Sequence, residues 1–202
     1  MAERDEFTFS DQKHRVERVS RSRQPSNLPE KENQHATNPF KATLEGIPKR
    51  ELLGRWLHAM LPNPEEAVQS LFDHAFRGGR WSPPRSFPVM YTTEEDAASR
   101  AELDRWLQLD DGSRFIVVCI KVQLGRVLDL CNPANRSAFG ATIQELNDPV
   151  DLGVSRAIGV AAYKANYQAI LYPRPLRPDH RNLAIFPERV GEADLAFADP
   201  RA

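Results

Sequence analysis

The chain has 202 residues, 27 Lys and Arg against 28 Asp and Glu, 41% hydrophobic residues and two cysteines. That length fits one globular domain with an extension. The balanced charge argues against a nucleic-acid binder, two cysteines cannot make a disulfide scaffold, and no apolar run approaches a transmembrane span. The opening MAERDEFTFS has no apolar signal core, so a soluble cytoplasmic protein with reduced Cys119 and Cys131 is expected.

Residues 1–45 carry scattered charges of both signs, few large apolar residues and Pro25, Pro29 and Pro39. Such a segment cannot bury enough surface to offset its ordering entropy, so a disordered polar extension is expected there. Lys13, Arg15, Arg18, Arg21 and Arg23 form a basic stretch within it, read as a solvated tail. The folded domain is expected over 46–190 and an irregular tail over 191–202.

After Pro48, the spacing of Leu52, Leu53, Trp56 and Met60 predicts a helix. Asn63-Pro64-Glu65-Glu66 supplies a cap, a first-turn proline and two acids for a second helix. It ends at Gly78-Gly79. A short strand follows at Val89–Tyr91. Thr93 is placed to cap a helix that carries Leu103, Trp106 and Leu107. RFIVVCIKV at 114–122 is the clearest strand, and RVLDL at 126–130 reads as another. Asp151 can cap a helix running to about Asn166. QAILY at 168–172 and NLAIF at 182–186 are strands joined by a Pro-rich loop. Helices and strands mix without a βαβ repeat, which indicates an α+β domain with a small mixed sheet and flanking helices.

The chain has no GxxxxGK[ST], no GxGxxG and no His or Cys pair at metal-ligand spacing, so the usual phosphate-loop and zinc signatures are absent. The informative stretch runs from Phe76 to Trp106. Arg80 follows two glycines, and its planar fork suits a phosphate or pyrophosphate. Tyr91, eleven residues on, offers an aromatic face with a polar tip. Glu102, eleven further on, offers a carboxylate able to stabilise a cationic transition state. From residues alone, Arg80 equally fits a surface charge, Tyr91 a core aromatic and Glu102 a helix-surface acid.

GGRWSPPRSFPVMYTT at 78–93, followed by ASRAELDRW, resembles the RES domain family. That family has a GGRW turn, a short strand ending in LYTS and a helix ending in ALAE. FIVVCIKVQLGRVLDLCN resembles its central strand pair, and AYKANYQAILYPRPLRPDHRNLAIF its closing blocks. The resemblance spans about Arg77 to Phe186. It implies an ADP-ribosyltransferase-like fold and a cytoplasmic toxin of toxin–antitoxin type that cleaves NAD at the N-glycosidic bond. Water or phosphate would be the acceptor, an Xre-like antitoxin the partner, and no metal is implied. Arg80 would bind the NAD phosphates beside Trp81, Tyr91 would contact the nicotinamide end, and Glu102 would act at the ribose. The family carries a serine after its Tyr-Pro, whereas Tyr172-Pro173 is followed here by Arg174 and, further on, Arg177, both candidate anion contacts. Ser155 and Tyr172 are the hydroxyls considered as replacements. Two other readings stand beside NAD cleavage: a scaffold without turnover that binds a nucleotide or protein, and an ADP-ribosyltransferase acting on a macromolecule.

Overall fold

The computed structural model describes residues 40–97, 99–100, 115–174 and 179–198. The extension before residue 40, Glu102 and the rest of the helix expected to carry Leu103, Trp106 and Leu107, Arg177 and residues 199–202 lie outside the described residues.

Arg50–Met60 forms strand β1 where the apolar spacing predicts a helix. Leu52 and Trp56 are four apart, a separation that satisfies both the helical and the strand period. Pairing decides between them. Residues Leu52 to Met60 run antiparallel against β3, from Leu124 back to Ile116. Leu53, expected on a buried helical face, is 73% exposed. Leaving one leucine in water forgoes about 2 kcal/mol, which burial of Leu52, Trp56 and Leu57 outweighs.

The two strands expected at 114–122 and 126–130 are one, β3, at Ile116–Asp129. Its inward residues are Ile120, Val122 and Leu124, then Val127. That change of parity matches a bulge against β1, where Arg50 pairs Val127 and Leu52 pairs Leu124. Gln168 Oε1 accepts the Gly125 and Arg126 N–H groups at 2.9 and 3.0 Å. The bulge therefore leaves neither of these donors unpaired.

Strands β2 (Met90–Glu94), β4 (Ala169–Pro173) and β5 (Arg181–Ile185) complete the order β1-β2-β5-β4-β3. The β1–β3 pairing closes it into a five-stranded barrel. Only β3 and β4 run parallel within it. β6, at Leu195–Ala198, pairs antiparallel with Cys119–Val122, so the part of the C-terminal stretch expected to be irregular is in part a strand. Thr93 belongs to β2 rather than capping a helix. The cap is Asp96, whose Oδ1 accepts the Ser99 N–H at 2.8 Å.

Besides the helical residues that follow Asp96, the α-helices bounded within the described residues are α1 (Lys41–Glu45), α2 (Pro64–Arg77), α3 (Pro133–Ala138), α4 (Ile143–Asn147) and α5 (Gly153–Lys164). α2 starts as its sequence predicts, with Asn63 Oδ1 accepting the Glu65 N–H at 2.9 Å. Asp151 Oδ1 accepts from Gly153 N–H at 2.8 Å, one residue outside the N-cap of α5. No helix among the described residues is long and apolar enough to cross a membrane. Leu44 is buried, and Phe40 meets Phe139 edge-on at 5.1 Å. The packed structure thus begins inside the segment expected to be a loose extension.

Alternation along the strands separates two cores. Leu52, Trp56, Met90, Ile120, Leu171 and Leu183 fill the barrel. Leu128, Ile170, Tyr172 and Ala184 face outward and are covered by Ile158, Ala161 and Ala162 of α5. Gly159 sets the depth of that covering helix. A Cβ there would lie 1.9 Å from the Trp81 carbonyl oxygen. Gly159→Ala is expected to cost about 1–3 kcal/mol by overpacking and to loosen the Gly78–Trp81 turn. Denaturant unfolding of the variant checks this, and a stability equal to wild type overturns it.

Candidate active site

The chain leaves α2 through Gly78, whose φ of +76° is a left-handed conformation that glycine adopts without strain. A Cβ on Gly79 would lie 2.3 Å from the Tyr91 hydroxyl. Glycine at that position therefore admits the tyrosine tip against the turn. Tyr91 lies on the outward face of β2, and its hydroxyl oxygen accepts the Trp81 N–H at 3.3 Å. His58 of β1 donates through Nδ1 to the Tyr91 carbonyl at 2.8 Å, which steadies the strand below. Burial pushes the Tyr91 hydroxyl pKa up. The Trp81 and Arg80 backbone N–H groups, then the Arg80 and Arg156 charges, oppose that shift.

Arg80 and Tyr91 thus meet at one corner, with the Arg80 guanidinium turned toward the end of α4. Nη1 donates to the carbonyls of Leu146 and Asp148 at 2.6 and 3.1 Å, and Nη2 to that of Asn147 at 3.3 Å. Arg80 therefore closes the carbonyl end of α4. A guanidinium has five N–H donors. Three serve these carbonyls, and the Nε–H and one Nη2–H remain for a further acceptor.

Trp81 is fully buried and packs edge-on against Tyr172 at 5.0 Å. It holds the turn against the sheet and presents no face to a ligand. Tyr172 is 5% exposed, and burial, then the neighbouring Tyr91, raise its pKa. Ser155 is also buried, its Oγ donating to the Leu152 carbonyl at 3.2 Å. Neither considered replacement for the family serine presents an open hydroxyl.

Arg174, at the position after Tyr172-Pro173, takes another route. Its Nη1 donates to Ser99 Oγ at 3.1 Å. Ser99 Oγ in turn donates to Asp96 Oδ2 at 2.8 Å, and His180 Nδ1 lies 3.0 Å from the same oxygen. This network joins the end of β4 and the start of β5 to the helical residues at 97 and 99–100. Burial works to raise the Asp96 pKa, but the Ser99 N–H and hydroxyl and then His180 outweigh it and hold the carboxyl at about 2. Because the folded pKa lies below the unfolded value of about 3.9, the stabilisation is present above pH 4 and lost as pH falls through about 2. Asp96→Ala is expected to cost about 1 kcal/mol at pH 7, the usual effect of losing an N-cap. The gap from wild type should narrow between pH 4 and pH 2. Urea unfolding across that range tests it, and a gap independent of pH would refute the assignment.

A separate cavity of about 290 Å³ lies between β1 and the β2–β5 edge, lined by Arg50, Arg55, Trp56, Glu94 and Arg181. Its arginines are already paired, Arg50 with Asp129, Arg55 with Glu95 and Arg181 with Glu94. It shares no residue with the Arg80–Tyr91 corner.

Residues 52–201 match the family model described as RES domain. The chain belongs to the RES domain family. Proteins named NAD(+) phosphorylase MbcT from Mycobacterium tuberculosis and Mycobacterium bovis are 30% identical to it over 103 residues, or 48% of this chain. The chain spans about half the length of these curated relatives, 55%. The crystal structure of the M. tuberculosis MbcT–MbcA toxin–antitoxin complex matches it with a TM-score of 0.64 at 22% identity, covering 79% of this chain and 89% of that chain. The shared fold is thus a mixed helix and strand architecture around a closed sheet.

In this RES domain the structure brings together Arg80, Tyr91 and the Trp81 backbone, and places Arg174 with Asp96, Ser99 and His180. Glu102 and Arg177 lie outside the described residues. Sequence reasoning missed Arg156, whose Nε–H donates to the Gly79 carbonyl at 3.0 Å. An arginine in the first turns of an amphipathic helix carries no local signal of that contact.

Proposed function

We infer that this RES domain cleaves the N-glycosidic bond of NAD, with inorganic phosphate as acceptor, and acts as a toxin held in check by an antitoxin of Xre-like type in the cytoplasm. The observation that carries this reading is the meeting of Arg80 and Tyr91 at one corner, within a RES domain whose relatives are named NAD(+) phosphorylase. The resemblance to ADP-ribosyltransferases belongs to the same reading, since those folds also present NAD for attack at the ribose.

In this reaction a phosphate oxygen bonds to the ribose carbon that bears nicotinamide. The carbon–nitrogen bond breaks, and its electron pair neutralises the pyridinium ring as nicotinamide leaves. Positive charge builds on the ribose in the transition state, where a carboxylate is worth most. Glu102 is the residue for that role. Arg80 offers its remaining donors to the pyrophosphate, and Tyr91 lines the nicotinamide end.

One observation favours a second reading. Arg174 stands where the family has serine, and it is engaged with Ser99. A RES scaffold that binds NAD without turning it over would fit that substitution. Incubation of the full chain with NAD, with and without phosphate, and chromatography for nicotinamide and ADP-ribose products separates the two. Phosphate-dependent nicotinamide release is expected. Bound but intact NAD would favour the second reading.

A further inference from the structure

We propose that Arg156 is the residue through which this corner holds a phosphate-type oxyanion, an assignment that rests on the NAD-cleaving reading. Arg156 lies in the first turns of α5 and is half-buried. Its Nε–H is committed to the Gly79 carbonyl at 3.0 Å, the same residue that admits the Tyr91 hydroxyl. The contact fixes the guanidinium beside the tyrosine tip and leaves its four Nη–H donors without an acceptor among the described residues.

Other arginines are disposed differently. Arg50, Arg55, Arg100 and Arg181 each meet a carboxylate. Arg80 gives three donors to carbonyls. Asp148 and Asp151 are the nearest acids in sequence to this helix start. Their carboxylates accept backbone N–H groups, Asp148 from Val150 and Asp151 and the Asp151 carboxylate from Gly153.

The corner therefore sets two guanidinium charges that both act on one tyrosine hydroxyl, with no carboxylate bonded to either among the described residues. Like charges brought together and half-desolvated repel, and an anion with several acceptor oxygens relieves that repulsion. A phosphate group is matched to the paired Nη donors in a way a chloride or single carbonyl is not. The positive end of the α5 dipole acts in the same sense.

The phosphate chemistry has two sources in the proposed reaction, the NAD pyrophosphate and the attacking inorganic phosphate, and Arg156→Gln distinguishes them. Calorimetry with inorganic phosphate and with pyrophosphate is compared between wild type and variant, alongside NAD cleavage across phosphate concentrations. A KM for phosphate raised about tenfold or more, with NAD affinity unchanged, assigns Arg156 to the acceptor. A Kd for NAD raised about tenfold or more, with the phosphate KM unchanged, assigns it to the pyrophosphate. A folded variant that binds both probes and cleaves NAD as wild type does overturns the proposal. Should Arg156→Gln not fold, Arg156→Lys carries the same comparison, because an ammonium keeps the charge and loses the paired fork. Affinities unchanged in that protein also overturn it. If wild type cleaves no NAD at any phosphate concentration, the NAD-cleaving reading fails. The calorimetric arm still decides Arg156, since loss of phosphate or pyrophosphate binding in the variant upholds it and equal binding removes it.

Discussion

Replacing Glu102 by Gln is expected to lower NAD turnover on the order of 10²- to 10³-fold while leaving NAD binding nearly intact. Gln keeps the shape and hydrogen-bonding capacity of the side chain and removes only the charge. The positive charge on the ribose is largest in the transition state, so the lost interaction acts on kcat and hardly on affinity. The magnitude is the scale observed when one electrostatic stabiliser is removed from an enzyme site. A glutamate on a helix surface makes a different forecast, a stability change within about 0.5 kcal/mol and unaltered turnover. Single-turnover NAD cleavage by the two folded proteins decides between these outcomes. Equal rates remove Glu102 from the chemistry.

Arg80→Lys is expected to weaken NAD binding by about 1.5–3 kcal/mol, the range for hydrogen bonds to charged groups. The structure gives this substitution two separable consequences. Arg80 closes the carbonyls of Leu146, Asn147 and Asp148, a contact a lysine ammonium can replace only in part. It also retains a pair of donors for a ligand, which an ammonium does not reproduce in fork geometry. Calorimetric titration with NAD measures the second effect, and thermal unfolding without NAD the first. Lower stability with unchanged NAD affinity would leave Arg80 as a helix-closing residue and take it out of the binding site.

The contrast between Arg80 and Arg156 shows how far local sequence carries. Arg80 sits in a glycine turn and a family motif, and both point to it before any coordinates are known. Arg156 sits in an ordinary amphipathic helix. Its position depends on Gly159, which lets α5 approach the Trp81 carbonyl closely enough for Arg156 to reach Gly79. Arg174 is similar. Its sequence position marks a departure from the family, but only the fold brings it to Ser99, 75 residues earlier in the chain.

Local chemistry by itself determined the α2 start at Asn63-Pro64, its stop at Gly78 and the β-branched run of β3. The three sequence blocks on which the RES resemblance rests, from GGRWSPPRSFPVMYTT to NLAIF, were likewise legible in the chain itself. Each of these depends on residues close in the chain, where capping, backbone freedom and side-chain period act directly. Tertiary structure alone decided that RELLGRWLHAM is a strand, because Leu52 and Trp56 suit either period and pairing with Ile116–Leu124 supplies the difference. It decided that the two predicted central strands are one, since the bulge at Gly125–Arg126 needs the distant Gln168 amide oxygen. It decided that residues 195–198 form a strand, because the unpaired edge of β3 offers hydrogen bonds that no local pattern can announce. The same physical reason covers all three: a backbone hydrogen bond between strands is made with a partner far away in sequence, and only the closed barrel shows which partner is there.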